Sequence, residues 1–170
     1  MLENKPSVSN QVISLAPFLN TNCKLVIKRE DLIHPYISGN KYRKLKYNLI
    51  NAKKEGFNTL LTFGGAYSNH IAAVASVGKE FGFNTIGVIR GEELIDKIDF
   101  NPTLLFAKEC GMKFLFISRK DYQLKTEKAF IDILKSKFGL FYLIPEGGTN
   151  QFAVKGCSEI LEKEDLNYDF

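Results

Sequence analysis

The sequence of 170 residues contains no tryptophan, two methionines, two histidines and three cysteines. The thiols of Cys23, Cys110 and Cys157 are far apart and form no C-x-x-C pair, which indicates a reduced, cytoplasmic protein rather than a disulfide framework. Because His34 and His70 are the only histidines, we expect no metal site. No apolar run approaches the roughly 18 residues that a membrane span requires, and the N-terminus lacks the apolar stretch of a signal peptide.

The charge balance is mild, with 23 lysines and arginines against 19 acidic residues and a net charge of +4. The basic residues are spread along the chain and no basic–aromatic cluster occurs, so nucleic acid is not an expected partner. Hydrophobic residues make up 45% and charged residues 25%, which are ordinary values for a soluble globular chain. The length suits one domain or parts of two lobes.

A repeating pattern organises the middle of the chain. Helix-like residues, a glycine and an apolar strand follow one another at 54–60, 80–86 and 109–115. The predicted strands are short and continuously apolar, as in sheets that are buried on both faces, and they lie at 59–63, 85–89, 114–118 and 141–144. Consecutive βα units of this length predict an α/β fold, a three-layer parallel sheet with flanking helices. The sequence also predicts a separate strand at 23–29, a helix at 156–163 and the start of another strand at 167–170.

The first candidate site is Lys41 in the segment S-G-N-K at 38–41. Gly39 permits an unusual backbone angle, and Asn40 as N-cap places Lys41 in the first turn of a helix that runs to about residue 54. The positive end of that helix, together with Arg43 and Lys44, predicts a lowered pKa for the Lys41 amine. A neutral amine is what Schiff-base chemistry requires, whereas a surface lysine on a basic helix start is the alternative that spacing alone leaves open.

The second candidate is the segment F-G-G-A-Y-S-N-H at 63–70, which follows a strand and opens a helix. Its glycines allow close backbone approach to a ligand, and Ser68 and Asn69 stand where free N–H groups attract anions. The segment matches neither a dinucleotide fingerprint nor a Walker A loop. A tight turn capped by Ser68 or Asn69 remains the alternative, and His70 is either an acid–base group or a packed side chain.

The third candidate is P-E-G-G-T-N at 145–150, where glycines again follow a strand. A connection between two lobes is the simpler interpretation of this segment. Glu146 could face a cleft, although no sequence pattern indicates it.

These segments, in this order, resemble the family of 1-aminocyclopropane-1-carboxylate (ACC) deaminases and D-cysteine desulfhydrases. That family belongs to the tryptophan-synthase-β-like, fold type II group of pyridoxal 5′-phosphate (PLP) enzymes. The resemblance is carried by K-R-E-D-L at 28–32, G-N-K-Y-R-K-L at 39–45, S-N-H at 68–70 and I-P-E-G-G-T-N at 144–150.

The resemblance implies a role for each matched residue. Lys41 corresponds to the catalytic lysine that forms the Schiff base with PLP and moves protons at the substrate α-carbon. Ser68 corresponds to the catalytic serine that contacts the substrate carboxylate and is the proposed ring-opening nucleophile. Asn69 corresponds to the residue that hydrogen-bonds the phenolic oxygen of PLP, and with His70 it stands beside the substrate. A small amino acid as substrate, and a homodimer of full-length members, are implied as well.

The resemblance also implies an incomplete site. Family members are about twice as long, and their glycine-rich phosphate loop would lie shortly beyond Phe170, so we expect the 170 residues alone not to bind PLP tightly. The implied division is an incomplete part of the larger PLP lobe at 1–50, a small α/β lobe at 51–144, and a return segment at 145–170. Three functions stay open: a PLP-dependent deaminase or lyase, a non-catalytic remnant that persists as a folded or interaction domain, and a nucleotide-binding α/β module.

Overall fold

The computed structural model describes residues 6–15 and 23–169. Short 3₁₀ turns lie at Glu30–Leu32, Glu92–Phe100, Glu146–Gly148 and Lys163–Asn167. In chain order the strands and α-helices are β1 Asn10–Ile13, β2 Leu25–Lys28, α1 Asn40–Lys54, β3 Thr59–Gly64, α2 Asn69–Phe81, β4 Asn84–Arg90, α3 Pro102–Glu109, β5 Lys113–Ile117, α4 Arg119–Tyr122, α5 Lys128–Phe138, β6 Tyr142–Ile144 and α6 Gln151–Cys157.

A four-stranded parallel sheet in the order β5-β4-β3-β6 forms the centre of the fold. In this sheet Leu61 of β3 is aligned with Ile86 of β4 and with Leu143 of β6. Each strand lies within one residue, at either end, of the range that the glycine-and-strand pattern predicts. The α/β prediction is therefore confirmed.

Helices cover both faces of this sheet because the strands are apolar on both sides. On one face Leu60 packs in a core with buried side chains of α1, α2 and α3, such as Leu49 and Val74. On the other face Phe63 packs with Tyr122 and Leu134 from α4 and α5. The result is the predicted three-layer arrangement.

Helix α1 begins one residue earlier than the sequence predicts. Gly39, not Asn40, is its N-cap, with φ 56° and ψ −139°, a backbone region that side chains with a Cβ rarely occupy. Asn40 is the first helical residue and its side-chain oxygen accepts a hydrogen bond from Lys41 Nζ at 2.9 Å. Glycine at position 39 thus sets the direction in which the first turn, and Lys41 with it, leaves the preceding loop.

The end of the described chain departs from the prediction. Helix α6 begins after Asn150, whose side chain accepts from the Ala153 N–H at 2.9 Å, and it ends at Cys157, so a helix over 156–163 is wrong for most of that range. Residues 167–169 form no strand, and Phe170 lies outside the described residues.

Strands β1 and β2 form a separate antiparallel pair. Lys28 connects this pair to the 3₁₀ turn near the C-terminus through an ion pair with Asp165 at 2.8 Å. The division of the chain at residues 50 and 144 stays a prediction, although α1 runs through the first of these boundaries. Across 6–15 and 23–169, no helix is long and apolar enough to cross a membrane.

Candidate active site

The three candidate segments meet at the carboxyl edge of the parallel sheet. In βα units the helices run opposite to the strands, so helix N-termini and the loops after strands share one edge. Lys44 in the second turn of α1 donates to the Thr149 hydroxyl at 2.9 Å and approaches the Gly147 carbonyl at 3.4 Å. Contacts between α1 and the loop after β6 thereby place Lys41 at this edge.

Lys41 is half-buried beside Lys44. Burial is the main cause that lowers the pKa of its amine, and the Lys44 ammonium lowers it further, while Cys157 opposes the shift. The direction and the contribution of Lys44 agree with the sequence prediction, whereas burial was not among the predicted causes. Arg43 takes no part, because its guanidinium is fully buried and pairs with Glu30 at 2.6 Å.

Ser68 and Asn69 open helix α2. Ser68 is its N-cap, with Oγ accepting from the Ile71 N–H at 3.4 Å, a long bond that leaves the hydroxyl proton available. Asn69 is exposed, and its side chain forms no hydrogen bond with any residue of the described ranges. Both polar side chains can therefore be offered to a ligand at this edge.

His70 is enclosed, with 1% of its surface exposed. Its Nε2 lies 2.9 Å from the Thr62 hydroxyl oxygen, and that hydroxyl donates to the Ile144 carbonyl at 2.9 Å. Since the Thr62 proton is used in this way, Nε2 of His70 carries the proton and donates it to Thr62. The buried Nδ1 is then a bare acceptor, and it has no hydrogen-bond partner of acceptable geometry within the described chain.

Burial lowers the pKa of His70 to about 3, and the charges of Lys41 and Lys44 contribute to the shift. The Pro145 carbonyl opposes it without forming a regular hydrogen bond. The imidazole is therefore neutral near pH 7. Helices α1 and α2 also contact each other directly.

Gly148 completes the enclosure of the His70 ring. It has φ +76°, and a Cβ at this position would come within 3.0 Å of His70 Cε1. The ring faces the interior, between β3 and the loop after β6, and its predicted role beside the substrate stays a prediction.

Sequence reasoning missed two residues of this arrangement. Lys44 connects α1 to the loop after β6, and Thr62 is the partner of His70. Thr62 offered a signal, since it is the polar residue within the apolar run Leu60–Phe63. Among residues 6–15 and 23–169, no three side chains of the metal-binding types cluster.

The residues present fit the part of a PLP site that supplies the Schiff-base lysine. Lys41 supplies an amine with a lowered pKa, and Asn69 supplies an exposed amide at a neighbouring helix start. The fit rests on the chemistry of these donors; the roles of Lys41, Ser68, Asn69 and His70 toward a cofactor or substrate stay predictions.

Comparison with family models finds no match. Individual proteins do match. A putative 1-aminocyclopropane-1-carboxylate deaminase of Thermotoga maritima is 35% identical over 152 residues, which cover 85% of this chain and 46% of that protein. The bifunctional D-cysteine desulfhydrase/1-aminocyclopropane-1-carboxylate deaminase of Arabidopsis thaliana mitochondria is 32% identical over 162 residues, 89% of this chain and 40% of that protein.

A solved structure of an ACC deaminase homologue superimposes with a TM-score of 0.71 and 26% identity, over 94% of this chain and 47% of the homologue. The chain thus spans less than half the length of the relatives that it matches. The chain therefore belongs to the family of ACC deaminases and D-cysteine desulfhydrases.

Proposed function

We propose that the chain supplies the lysine-bearing part of a PLP-dependent enzyme that releases ammonia or sulfide from a small amino acid of the ACC or D-cysteine type. The observation that carries the proposal is the half-buried Lys41, whose pKa is lowered, at the start of α1, a helix that contacts the helix α2 which the S-N-H segment opens. The names of the matched relatives support the same two reactions. A homodimer of the full-length protein is part of the proposal.

PLP, when bound, supplies the electron sink for reactions at the substrate α-carbon, and the protein supplies orientation and electrostatics. In this proposal Lys41 and Asn69 would hold the cofactor. A lowered pKa leaves a larger fraction of the Lys41 amine neutral near pH 7, so the amine can attack a carbonyl and later take or return a proton.

Ser68 would orient the substrate in the same proposal. Its hydroxyl proton is free to donate to a carboxylate, and the first N–H groups of α2 favour negative charge at the same place. His70 stays neutral behind this loop, so it adds no positive charge that would compete for the carboxylate.

The experiment measures sulfide release from D-cysteine and ammonia release from ACC by the native protein that contains this sequence, with PLP added. We expect release from at least one substrate, and a loss on the order of 10³-fold or more in Lys41→Ala. Lys54→Ala is the matched control, because Lys54 is exposed at the other end of the same helix, and it should retain activity.

A non-catalytic remnant is the second candidate. It is favoured by the sheet, which already has a buried core on both faces although the chain matches only 46% of its Thermotoga relative. A folded protein that releases neither sulfide nor ammonia from these substrates would support the remnant and contradict the enzyme.

A further inference from the structure

Four side chains meet at the carboxyl edge, on the face of the sheet that α5 covers. Arg90 ends β4, Tyr122 ends α4, Lys125 lies in the turn before α5, and Glu146 follows β6. We call these four residues the Arg90 cluster. The proposed deaminase or desulfhydrase reaction leaves all four without a role.

Tyr122 is the centre of the Arg90 cluster. Its side chain is 3% exposed and its ring packs edge-on against Phe63, with the centroids 6.1 Å apart. Arg90 Cζ lies 5.6 Å and Lys125 Nζ 4.8 Å from the centroid of the Tyr122 ring. The Tyr122 hydroxyl is buried without a hydrogen-bond partner among the described residues, which is uncommon in folded proteins and unfavourable.

Glu146 is the acidic member of the Arg90 cluster. Its carboxylate lies 3.4 Å from Lys125 Nζ, and its side chain is 44% exposed. Burial raises the pKa of Tyr122, and the nearby Glu146 raises it further, although the hydroxyl and the carboxylate do not reach hydrogen-bonding geometry. A carboxylate of the protein therefore already lies beside the Tyr122 hydroxyl without accepting a hydrogen bond from it.

The Arg90 guanidinium has N–H donors that remain available to a ligand. Its side chain is exposed, and within 6–15 and 23–169 it forms no ion pair. A Cβ built on Gly65 would lie 3.8 Å from Arg90 Nη2, so the guanidinium stands against the loop that leads to Ser68. The Arg90 cluster thus carries two cations against one anion, and Arg90 borders the candidate active site.

We propose that Arg90, Lys125 and Tyr122 form a binding subsite for the carboxylate of a small organic acid, and that Glu146 is the internal carboxylate which this ligand displaces. The planar guanidinium fork of arginine matches a carboxylate, the phenol adds an O–H donor, and the ammonium adds charge. The partly exposed Lys125–Glu146 pair is weak, so displacing Glu146 should weaken ligand binding by about fivefold at most.

The test titrates acetate into the whole chain without PLP, at constant ionic strength set with sodium chloride, and follows the backbone amide of Gly65 by NMR. We expect a saturable shift. Glu146→Gln should tighten acetate binding by about threefold to fivefold, because the competing carboxylate is gone. Arg90→Gln should weaken binding by about tenfold or more.

Arg119→Gln is the matched control. Arg119 is an exposed arginine at the start of α4 that pairs with Glu93 at 3.2 Å, so its loss removes the same charge outside the Arg90 cluster. Acetate affinity should then change less than about twofold. Equal losses in Arg90→Gln and Arg119→Gln would show nonspecific charge attraction and overturn the subsite, as would an unsaturable shift.

Two further measurements keep the proposal open to refutation if Arg90→Gln does not fold. In the double variant Lys125→Gln/Glu146→Gln, the increase in acetate affinity over wild type that Glu146→Gln produces should disappear. A retained increase would contradict the part played by Lys125. Inorganic phosphate is titrated in parallel, and tighter binding of phosphate than of acetate would overturn the assignment to a carboxylate. Because no arm involves PLP or Lys41, failure of the subsite leaves the proposed function untouched.

Discussion

At the scale of single residues, His70 shows how burial can prevent a side chain from acting as an acid or base. A histidine at a helix start beside two lysines could serve as an acid or base, yet its ring is enclosed and hydrogen-bonded to Thr62. Thr62 in turn donates to the Ile144 carbonyl. The neutral imidazole and the Thr62 hydroxyl together therefore link α2, β3 and β6. We infer that His70 holds the S-N-H loop in place as long as it stays unprotonated.

This neutral state makes stability depend on pH. The folded pKa of about 3 lies below the ordinary value of 6.5, so between these pH values the unfolded chain binds a proton that the folded chain does not. The stabilising contribution is complete above pH 6.5 and is lost as the pH falls. Between pH 7 and pH 5, His70 should therefore remove about 2 kcal/mol from the free energy of unfolding.

Urea unfolding at pH 7, 6 and 5 checks this prediction when wild type is compared with His70→Gln, which does not titrate. The variant should be less stable at pH 7 but should lose about 2 kcal/mol less on acidification. His34→Gln is the control, since the half-buried His34 contacts Glu80 away from this loop, and it should keep the dependence that is due to His70. Equal pH dependence in wild type and His70→Gln would show that His70 does not carry the effect.

At the scale of elements, the contact between α1 and α6 joins the Lys41 helix to the segment after β6. A Cβ on Gly156 would overlap the Arg43 carbonyl oxygen, so the two helices touch backbone to backbone. Lys46 pairs with Glu159 at 2.6 Å just beyond α6, and Asn150 donates to Asn48 at 2.7 Å at its start. Glycine at 156 is therefore a requirement of packing, since its φ is not in the left-handed region.

Gly156→Ala should force α6 away from α1 and lower the free energy of unfolding by about 3 kcal/mol. Gly65→Ala is the matched control, because its new Cβ would meet no atom closer than 3.8 Å, and its effect should stay below about 1 kcal/mol. Thermal or urea unfolding measures both variants. Equal stability of Gly156→Ala and Gly65→Ala would refute the close contact.

The sequence predicts local elements better than long-range contacts, and α6 shows why. Strand positions follow from short apolar runs and the glycines before them. The contact of α6 with α1 could not be predicted, because it brings Gly156 against Arg43, which lies 113 residues earlier in the sequence. The hydrogen bond from Thr62 to the Ile144 carbonyl could not be predicted for the same reason, since these residues are 82 positions apart and meet only when the sheet forms.

At the scale of the whole molecule, the chain is a folded α/β unit that spans less than half the length of its relatives. Its carboxyl edge brings Lys41 near the S-N-H segment, and the lowered pKa of the Lys41 amine arises from residues within this unit. The preference of PLP for Lys41 should therefore already be present in the 170 residues.

The measurement that tests this preference most directly is borohydride trapping of the 170-residue chain at limiting PLP near pH 7, followed by peptide mapping. Because a lowered pKa gives Lys41 more neutral amine than the exposed lysines, we predict that the reduced adduct lies predominantly on Lys41. Lys41→Ala should lose this adduct, while Lys54→Ala should keep it. An adduct spread evenly over the lysines, or located mainly on a lysine other than Lys41, would contradict the assignment of Lys41 as the PLP lysine.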